Sequence, residues 1–330
     1  MHNKTIIFDL NGNDDGILAG VEAAKLFCQN HPDYQIILVG NQDEISQIIE
    51  PNEQIQIHHS PNQVSKDVAN LTTCFKEDNS MNAALNLLKE QKGAAVLSSG
   101  DSGKYFMSSL MILKRLPNVN RPAFMSIIPT ILANKKFLLL DEGANLHTSS
   151  DHLVQWAKLG AIFAKTILNV ENPKVGIVNI GTEDYKGYEF HQEANQILKT
   201  TQNDFDYLGF VETRKLLEGF CDVAVADGFT GNITLKTLEG TVLAFLKLIK
   251  NQLTKTTMRK LATAFLKNAF GEIKEQLDYR NVGAAWILGI NGIVIKAHGS
   301  SDQKAYLGAL NQIKIAIETN ALEKLKKILE

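Results

Sequence analysis

The chain has 330 residues, of which 44% are hydrophobic and 21% charged, and its formal net charge is -2. This composition is typical of a globular protein with a sizeable core, excludes a disordered or fibrous chain, and argues against nucleic acid as the main partner. Three cysteines are too few and too scattered for a disulfide framework, which fits a reducing cytoplasm. The sequence predicts no signal peptide and no transmembrane helix.

Short apolar runs alternate with amphipathic helical patterns along the chain. Their ranges are 5–10, 35–40, 54–59, 94–100, 137–143, 175–181, 222–228 and 292–299. Because these runs are apolar on both faces, they predict an α/β protein with a mainly parallel sheet and helices on each side. No Gly/Ser tract or other linker interrupts the chain, so we expect residues 1–330 to form a single compact unit with two lobes.

Several of the predicted strands end in the same chemistry, which is glycine followed by small polar or charged residues. The segments concerned are 94–104, 137–145, 175–187, 222–232 and 293–302. Because the carboxyl ends of parallel strands line the ligand crevice, these ends predict a shared polar site. Lys186, Lys296 and His298 supply positive charge there. For each acidic residue in these segments, capping of a helix N-terminus explains the residue as well as catalysis does.

The segment from Cys221 to Gly240 passes from an apolar strand through a glycine turn into a helix. Free N-H groups at such a helix start favour an anion, so Asp227 to Asn232 predict a phosphate or oxyanion site. An ordinary strand-to-helix turn, capped by Thr230 or Asn232, explains the same residues. Both interpretations stay open on the sequence alone.

Familiar catalytic and metal motifs are absent or out of context. The GDSG of residues 100–103 follows a strand inside an α/β pattern, whereas trypsin-like proteases are all-β. Ser98 stands where a P-loop needs its first glycine, and no GxGxxG or GxSxG occurs. His58 and His59 point to opposite faces of a strand, so we interpret them as surface residues.

Two apolar stripes at helical spacing follow the glycine turn, one over residues 235–253 and one over residues 258–277. Lysine and arginine occupy the polar side of the second stripe. The second stripe is therefore expected to form an amphipathic segment that meets an anionic membrane surface or an acidic protein. A helix that faces the core or a second subunit is the commoner explanation of such a stripe.

Ordered blocks across nearly the whole chain resemble the phosphate acyltransferases of phospholipid synthesis, the PlsX family. The blocks are SSGDSG (98–103), LLDEGAN (139–145), NIGTEDYKG (179–187), FDYLGFVE (205–212), DGFTGN (227–232), LKTLEG (235–240) and GIVIKAHGSSD (292–302). The chain departs from the family's pattern in two loops. It has DLNGND (9–14) for a DAMGGD-like turn, and Asp101 and Lys104 replace an amide and an alanine in the second loop.

The resemblance implies a fold similar to that of isocitrate and isopropylmalate dehydrogenases, and transfer of an acyl group from acyl carrier protein to inorganic phosphate without a cofactor or metal. It implies a cytoplasmic homodimer with a projecting amphipathic segment over approximately residues 247–278. It also implies peripheral contact with the membrane, and a downstream membrane glycerol-3-phosphate acyltransferase as a possible partner. The expected catalytic residues are Lys186, Asp227, Asn232 and His298. The expected binding residues are Gly12, Ser99, Gly100, Ser102, Gly103, Asp141, Asn145, Gly181, Gly228, Gly231, Lys296 and Ser300.

Other functions remain on the list of hypotheses. A phosphate acetyl- or butyryltransferase would use coenzyme A thioesters, and a decarboxylating dehydrogenase on the same fold would need a nicotinamide and a divalent metal. A non-catalytic membrane-associated scaffold would need neither an acyl thioester nor phosphate.

Overall fold

The protein was analysed as a computed structural model, which describes residues 4–64, 71–278 and 284–329. The chain divides into two compact units. Unit 1 comprises Met1–Ser126, Ile162–Glu171 and Arg280–Glu330, and unit 2 comprises Ile127–Ala161 and Asn172–Tyr279. The expectation of one compact two-lobed unit over residues 1–330 stays a prediction.

Strands and helices alternate through most of the described chain. The strands are β1 (Thr5–Asp9), β2 (Gln35–Gly40), β3 (Ile55–His59), β4 (Ala95–Ser98), β5 (Ala123–Pro129), β6 (Lys136–Leu140), β7 (Lys174–Val178), β8 (Asp206–Val211), β9 (Val223–Val225), β10 (Ala284–Leu288) and β11 (Ile293–Ala297). The α-helices are α1 (Leu18–Asn30), α2 (Gln42–Ser46), α3 (Ser80–Lys89), α4 (Ser102–Leu113), α5 (Ser150–Ile167), α6 (Glu189–Thr200), α7 (Gly228–Leu253), α8 (Thr257–Phe265), α9 (Lys267–Leu277), α10 (Gln303–Glu318) and α11 (Ala321–Leu329).

The strands of unit 1 lie in the order β3-β2-β1-β4-β11-β10-β5. β1 pairs in parallel with β2 and β4, and β11 pairs in parallel with β4. β10 is antiparallel to both of its neighbours. The register sets Asp9 beside Ser98, and Ser98 beside Lys296, so the polar residues at these strand ends share one edge.

The strands of unit 2 lie in the order β6-β9-β7-β8, and all of these pairs are parallel. Ile128, Phe137, Leu139, Val178 and Ala224 belong to a buried core cluster on one side of this sheet, against which Leu235 and Leu238 of α7 pack. The apolar runs that form β6, β7 and β9 are therefore buried on both faces, as parallel strands covered by helices require. The predicted α/β fold with a mainly parallel sheet is confirmed.

Three strands were not predicted from the pattern of apolar runs: β5, β8 and β10. Asp206 and Gly209 interrupt the apolar character of β8, where Gly209 has φ +80°. β10 runs antiparallel to β11, whereas the alternation of strands and helices in the sequence predicts parallel strands.

The second amphipathic stripe forms two helices, α8 and α9, rather than one. The helices meet at Leu266, whose N-H bonds to the Thr263 carbonyl instead of continuing the α-helical pattern. Thr263 donates its hydroxyl to the carbonyls of Arg259 and Leu253. Such side-chain bonds compete with the backbone ladder and bend helices.

Candidate active site

The first group of polar residues lies at the carboxyl ends of β6, β9 and β7 in unit 2. Asp141 follows β6, Asp227 follows β9, and Asn179 follows β7. Because these strands are adjacent and parallel, their carboxyl ends share one edge. Three of the five predicted strand ends therefore lie along one edge, and the shared polar site stays a prediction.

Asp141 organises the loop after β6. Its carboxylate is fully buried and accepts hydrogen bonds from Asn145 N at 2.7 Å, Asn145 Nδ2 at 3.0 Å and Ala144 N at 3.2 Å. The Asn145 carbonyl in turn accepts the Gly228 N-H at 3.1 Å. These bonds fasten the loop to the first residue of α7.

Glycine is required where this loop meets α7. Gly143 has φ +113°, and a Cβ atom there would lie 2.6 Å from Asn232 Nδ2. At Gly231 a Cβ atom would overlap the Asp141 carbonyl oxygen. The predicted binding residue Gly231 and the predicted catalytic residue Asn232 thus stand in direct contact with the Asp141 loop.

Asp227 is the N-cap of α7. Its Oδ1 accepts hydrogen bonds from Thr230 N at 3.0 Å and Phe229 N at 3.1 Å, and its carbonyl accepts the Gly231 N-H at 2.8 Å. The first N-H groups of the helix are therefore bonded within the protein, which is the capped-turn arrangement. An anion at this helix start would rely on side chains and on the helix dipole rather than on these N-H groups.

Asp227 is held as a carboxylate. Burial by itself would raise its pKa, but the contact with the His191 ring and the hydrogen bonds from Thr230 outweigh burial and lower the pKa to about 2. His191 Nε2 lies 3.5 Å from Asp227 Oδ2, at the long limit of a hydrogen bond. The side chain is thus charged over the whole physiological pH range.

Lys186 lies on the loop that follows β7. Its Nζ lies 2.8 Å from Glu183 Oε2, and its carbonyl accepts a hydrogen bond from Asn179 Nδ2 at 3.0 Å. Glu183, as a hydrogen-bond acceptor, raises the pKa of Lys186, so the side chain is cationic. A Cβ atom at Gly181 would lie 2.6 Å from Lys186 Nζ, so the predicted residue Gly181 makes room for the lysine.

The second group of polar residues lies at the carboxyl ends of β1, β4 and β11 in unit 1. A Cβ atom at Gly12 would lie 2.5 Å from Gly100 Cα, which shows how closely the loops after β1 and β4 approach. Ser99 Oγ accepts the Tyr306 hydroxyl at 2.9 Å, and the Tyr306 oxygen accepts Asn13 Nδ2 at 2.7 Å. Hydrogen bonds therefore tie these predicted loop residues to α10.

Asp9 and Lys296 are buried ionisable groups in this network. Burial raises the pKa of Asp9 to about 6, although Ser98 Oγ donates to Asp9 Oδ2 at 2.6 Å. Burial lowers the pKa of Lys296 to about 8 against the opposing effect of nearby carboxylates, chiefly that of Asp101. The Lys296 ammonium donates to the carbonyls of Ser99 and Ala297.

The start of α4 differs from that of α7. Asp101 caps the helix by accepting the Lys104 N-H at 2.9 Å. Within the part of the chain that the structure describes, no hydrogen bond is made by the N-H groups of Ser102 and Gly103, both of which are exposed residues. Lys104 is buried, with its Nζ 3.7 Å from Glu77 Oε1.

The structure therefore distributes the predicted site residues over two groups. Unit 2 holds Asp141, Asn145, Gly181, Lys186, Asp227, Gly228, Gly231 and Asn232, and unit 1 holds Gly12, Ser99, Gly100, Ser102, Gly103, Lys296, His298 and Ser300. His298 and Ser300 are exposed. Their roles stay predictions.

Sequence reasoning missed several polar residues of these groups, namely Asp9, Asn13, Asn179, Glu183, His191 and Tyr306. Asp9 and Asn179 stand directly at strand ends, a signal that could have found them. His191 and Tyr306 lie inside helices, where only the tertiary structure brings them to a strand end.

The chain matches a protein family described as "Fatty acid synthesis protein" over residues 5–324. The chain is 53% identical to a phosphate acyltransferase of Mycoplasmopsis pulmonis, over 99% of this chain and 100% of the relative. It is 40% identical to a phosphate acyltransferase of Halalkalibacterium halodurans, over 90% and 88% of the two chains.

Solved structures with a similar fold are much more distant in sequence. A phosphotransacetylase from Streptococcus pyogenes matches with a TM-score of 0.63 and 16% identity, over 97% of this chain and 94% of the other. A branched-chain phosphotransacylase from Enterococcus faecalis matches with a TM-score of 0.60 and 12% identity, over 95% and 99%. At these identities the likeness shows the fold.

Proposed function

This chain belongs to the phosphate acyltransferase family, and we propose that it transfers a fatty acyl group from the thioester of acyl carrier protein to inorganic phosphate. The products are acyl phosphate and free carrier protein, and the acyl phosphate serves phosphatidic acid and phospholipid synthesis. The observation that carries the proposal is the 53% identity to a named phosphate acyltransferase over 99% of the chain.

The reaction needs little acid or base assistance. A phosphate oxygen attacks the thioester carbon, a C-O bond forms, and the C-S bond breaks as the electron pair leaves on sulfur. Phosphate is already an anion near neutral pH, and a thiol with an ordinary pKa of about 8.5 is a good leaving group. The protein must chiefly align the reactants and stabilise negative charge.

The unit 2 residues suit these tasks. We assign Lys186 to the charge of phosphate or of the oxyanion that forms at the thioester carbon, and Asn232 to hydrogen bonding with the same anion. Asp227 orients the start of α7 as its N-cap. In this assignment Lys186 leaves Glu183 when phosphate binds, because the two side chains form an ion pair in the structure.

The unit 1 residues supply further candidates. His298 is exposed and is proposed to protonate the departing thiolate. Ser102 and Gly103 at the start of α4 have N-H groups without a hydrogen bond in the described part of the chain, and these offer hydrogen bonds to an anionic oxygen. They lie in the second loop in which this chain departs from the family's pattern. Lys296 adds positive charge behind the Ser99 carbonyl.

We further propose a homodimer that meets the membrane surface through α7, α8 and α9. Met258, Leu261 and Phe265 of α8 are 77%, 63% and 92% exposed, and Lys255, Arg259 and Lys260 are exposed beside them. Apolar side chains flanked by cations suit an anionic lipid surface. No helix within the described ranges meets the length and apolarity of a membrane span. A membrane glycerol-3-phosphate acyltransferase would then consume the acyl phosphate.

The test is release of carrier-protein thiol from long-chain acyl carrier protein, with and without inorganic phosphate at one pH. The proposal expects phosphate-dependent release with acyl phosphate as the product. Equal release without phosphate would refute it. Activity with the corresponding acyl coenzyme A and none with acyl carrier protein would instead favour a phosphate acetyl- or butyryltransferase.

A further inference from the structure

His191 is a buried residue in the first turn of α6, where it faces the N-cap of α7. We propose that His191 is a positioning residue for the unit 2 site, because it joins Asp227 to the loop that carries Lys186. This inference rests on the proposed function and names a residue that acts through its neighbours without touching either substrate.

The backbone fixes which nitrogen of the His191 ring carries the proton. Nδ1 accepts the N-H of Tyr188 at 3.3 Å, so a neutral ring must carry its hydrogen on Nε2. Nε2 faces Asp227 Oδ2 at 3.5 Å. Among the described residues, neither atom has a hydrogen-bond partner within ordinary geometric limits, and both are buried. The 3.5 Å contact is therefore electrostatic, and separating the two atoms would remove the polar contact that offsets their burial.

The two carboxylate oxygens of Asp227 are thus divided between two tasks. Oδ1 caps α7 through the N-H groups of Phe229 and Thr230, and Oδ2 faces His191. This division turns the negative charge of Oδ2 toward a hydrogen-bond donor. A carboxylate free to rotate toward bound phosphate would repel it.

The first turn of α6 also holds the loop that carries Lys186. Gln192 Nε2 donates to the carbonyl of Tyr185 at 2.8 Å and to that of Gly187 at 3.2 Å. His191 and Gln192 are consecutive residues, so one helical turn contacts both the Lys186 loop and the cap of α7. Loosening the contact between His191 and Asp227 therefore changes the position of Lys186 relative to α7.

Two substitutions test the roles of the two ring nitrogens separately. His191→Asn keeps an acceptor near the position of Nδ1 for the Tyr188 N-H and loses the donor to Asp227. His191→Gln carries an amide N-H near the position of Nε2 and keeps that donor. Glu193→Ala, on an exposed position of the same helix, is the matched control.

The phosphate KM of His191→Asn is expected to rise at least about tenfold with kcat within about threefold, which corresponds to the loss of one polar contact with a charged group. His191→Gln and Glu193→Ala should keep the wild-type KM. A wild-type phosphate KM in His191→Asn, or a rise of the same size in all three variants, would overturn the inference.

A second measurement does not need turnover. Phosphate that binds the folded protein raises its melting temperature, so the shift at a fixed phosphate concentration reports binding. We expect a smaller shift in His191→Asn than in His191→Gln, at equal melting temperatures without phosphate. A wild-type protein that is stabilised by phosphate but releases no thiol would refute the proposed function and leave this comparison valid. Equal shifts in both variants, or no shift in the wild type, would overturn the role of His191.

Discussion

Lys186 Nζ lies 2.8 Å from Glu183 Oε2, so the lysine assigned to the charge of phosphate is held by a carboxylate in the structure. Both side chains are partly exposed, at 32% and 46%. An ion pair of this kind contributes little to stability and exchanges partners readily. The pair therefore holds Lys186 in place without preventing it from binding phosphate.

The Lys186→Ala substitution is expected to lower kcat/KM for phosphate by about 10²–10³, the usual cost of removing one group that stabilises developing charge. Initial rates of thiol release over a range of phosphate concentrations measure this. Binding to anionic vesicles should be unchanged. Full activity of Lys186→Ala would exclude the lysine, and unchanged vesicle binding with lost activity would exclude the non-catalytic scaffold.

The Glu183→Gln substitution should lower the phosphate KM by about threefold, because a neutral amide competes less well with phosphate for Lys186. The same kinetic series measures this effect. Glu193→Gln is the matched control, since it removes an exposed unit 2 carboxylate that is not among the groups acting on the pKa of Lys186. A higher KM in Glu183→Gln would mean that Glu183 positions Lys186 for phosphate instead of competing with it.

Asp9 is expected to make folding stability depend on pH. Its pKa is raised from 3.8 to about 6 by burial, so between these values the folded protein holds a proton that the unfolded chain releases. The stabilisation from this proton is complete below about pH 3.8 and is lost as the pH rises through about 6.

Asp9→Asn should therefore gain stability relative to the wild type between pH 4 and pH 6, by up to roughly 3 kcal/mol, and keep that gain at higher pH. Urea unfolding at pH 4.5, 6 and 7.5 measures it. Glu50→Gln, at an exposed position, should show no such trend. A stability difference between Asp9→Asn and wild type that does not change with pH would contradict the buried-proton account.

Lys296 should have the opposite pH dependence. Its pKa is lowered from 10.5 to about 8 by burial, so the unfolded chain holds a proton between these values that the folded protein has released. Wild-type stability should rise as the pH increases from about 8 to about 10.5. Lys296→Met should remove this rise, which urea unfolding at pH 7.5, 9 and 10 would detect. The same rise in Lys296→Met would assign it to another group.

Gly231 and Gly240 provide a matched pair within α7. A Cβ atom at Gly231 would overlap the Asp141 carbonyl oxygen, whereas none would contact anything within 4 Å at Gly240. Gly231→Ala must shift backbone and is expected to cost about 2 kcal/mol or more of unfolding free energy. Gly240→Ala should gain about 0.5–1 kcal/mol, because glycine is a poor helix former. Thermal and urea unfolding check both, and equal effects would contradict the close contact at Gly231.

Phe265 tests the proposed membrane contact, because its side chain is 92% exposed. Phe265→Ser is expected to lower the affinity for anionic vesicles about tenfold, because one aromatic side chain would no longer insert into the lipid. Co-sedimentation with vesicles measures it, and light scattering measures the subunit number. Loss of the dimer with unchanged vesicle affinity would assign this face to a second subunit instead.

Some parts of the candidate site were predictable because they depend on residues that are adjacent in the sequence. The DGFTGN turn gave Asp227, Gly231 and Asn232 in a strand-to-helix connection, which the structure has. Whether the N-H groups of this turn are open to an anion or are capped within the protein was not predictable. Asp227 and Asn145 accept the N-H groups at the start of α7, and Asn145 comes from a loop more than eighty residues away in the chain.

By itself the sequence determined eight of the described strands, the mainly parallel sheet and the glycine turns, since apolar runs and turn residues act over a few neighbouring positions. It also carried the family likeness. Only the tertiary structure decided that His191 faces Asp227, that Glu183 holds Lys186, and that Asp9 and Lys296 are buried with shifted pKa values. These properties arise from contacts between residues on different elements and from the removal of water around those residues. No local sequence pattern encodes such contacts or such burial.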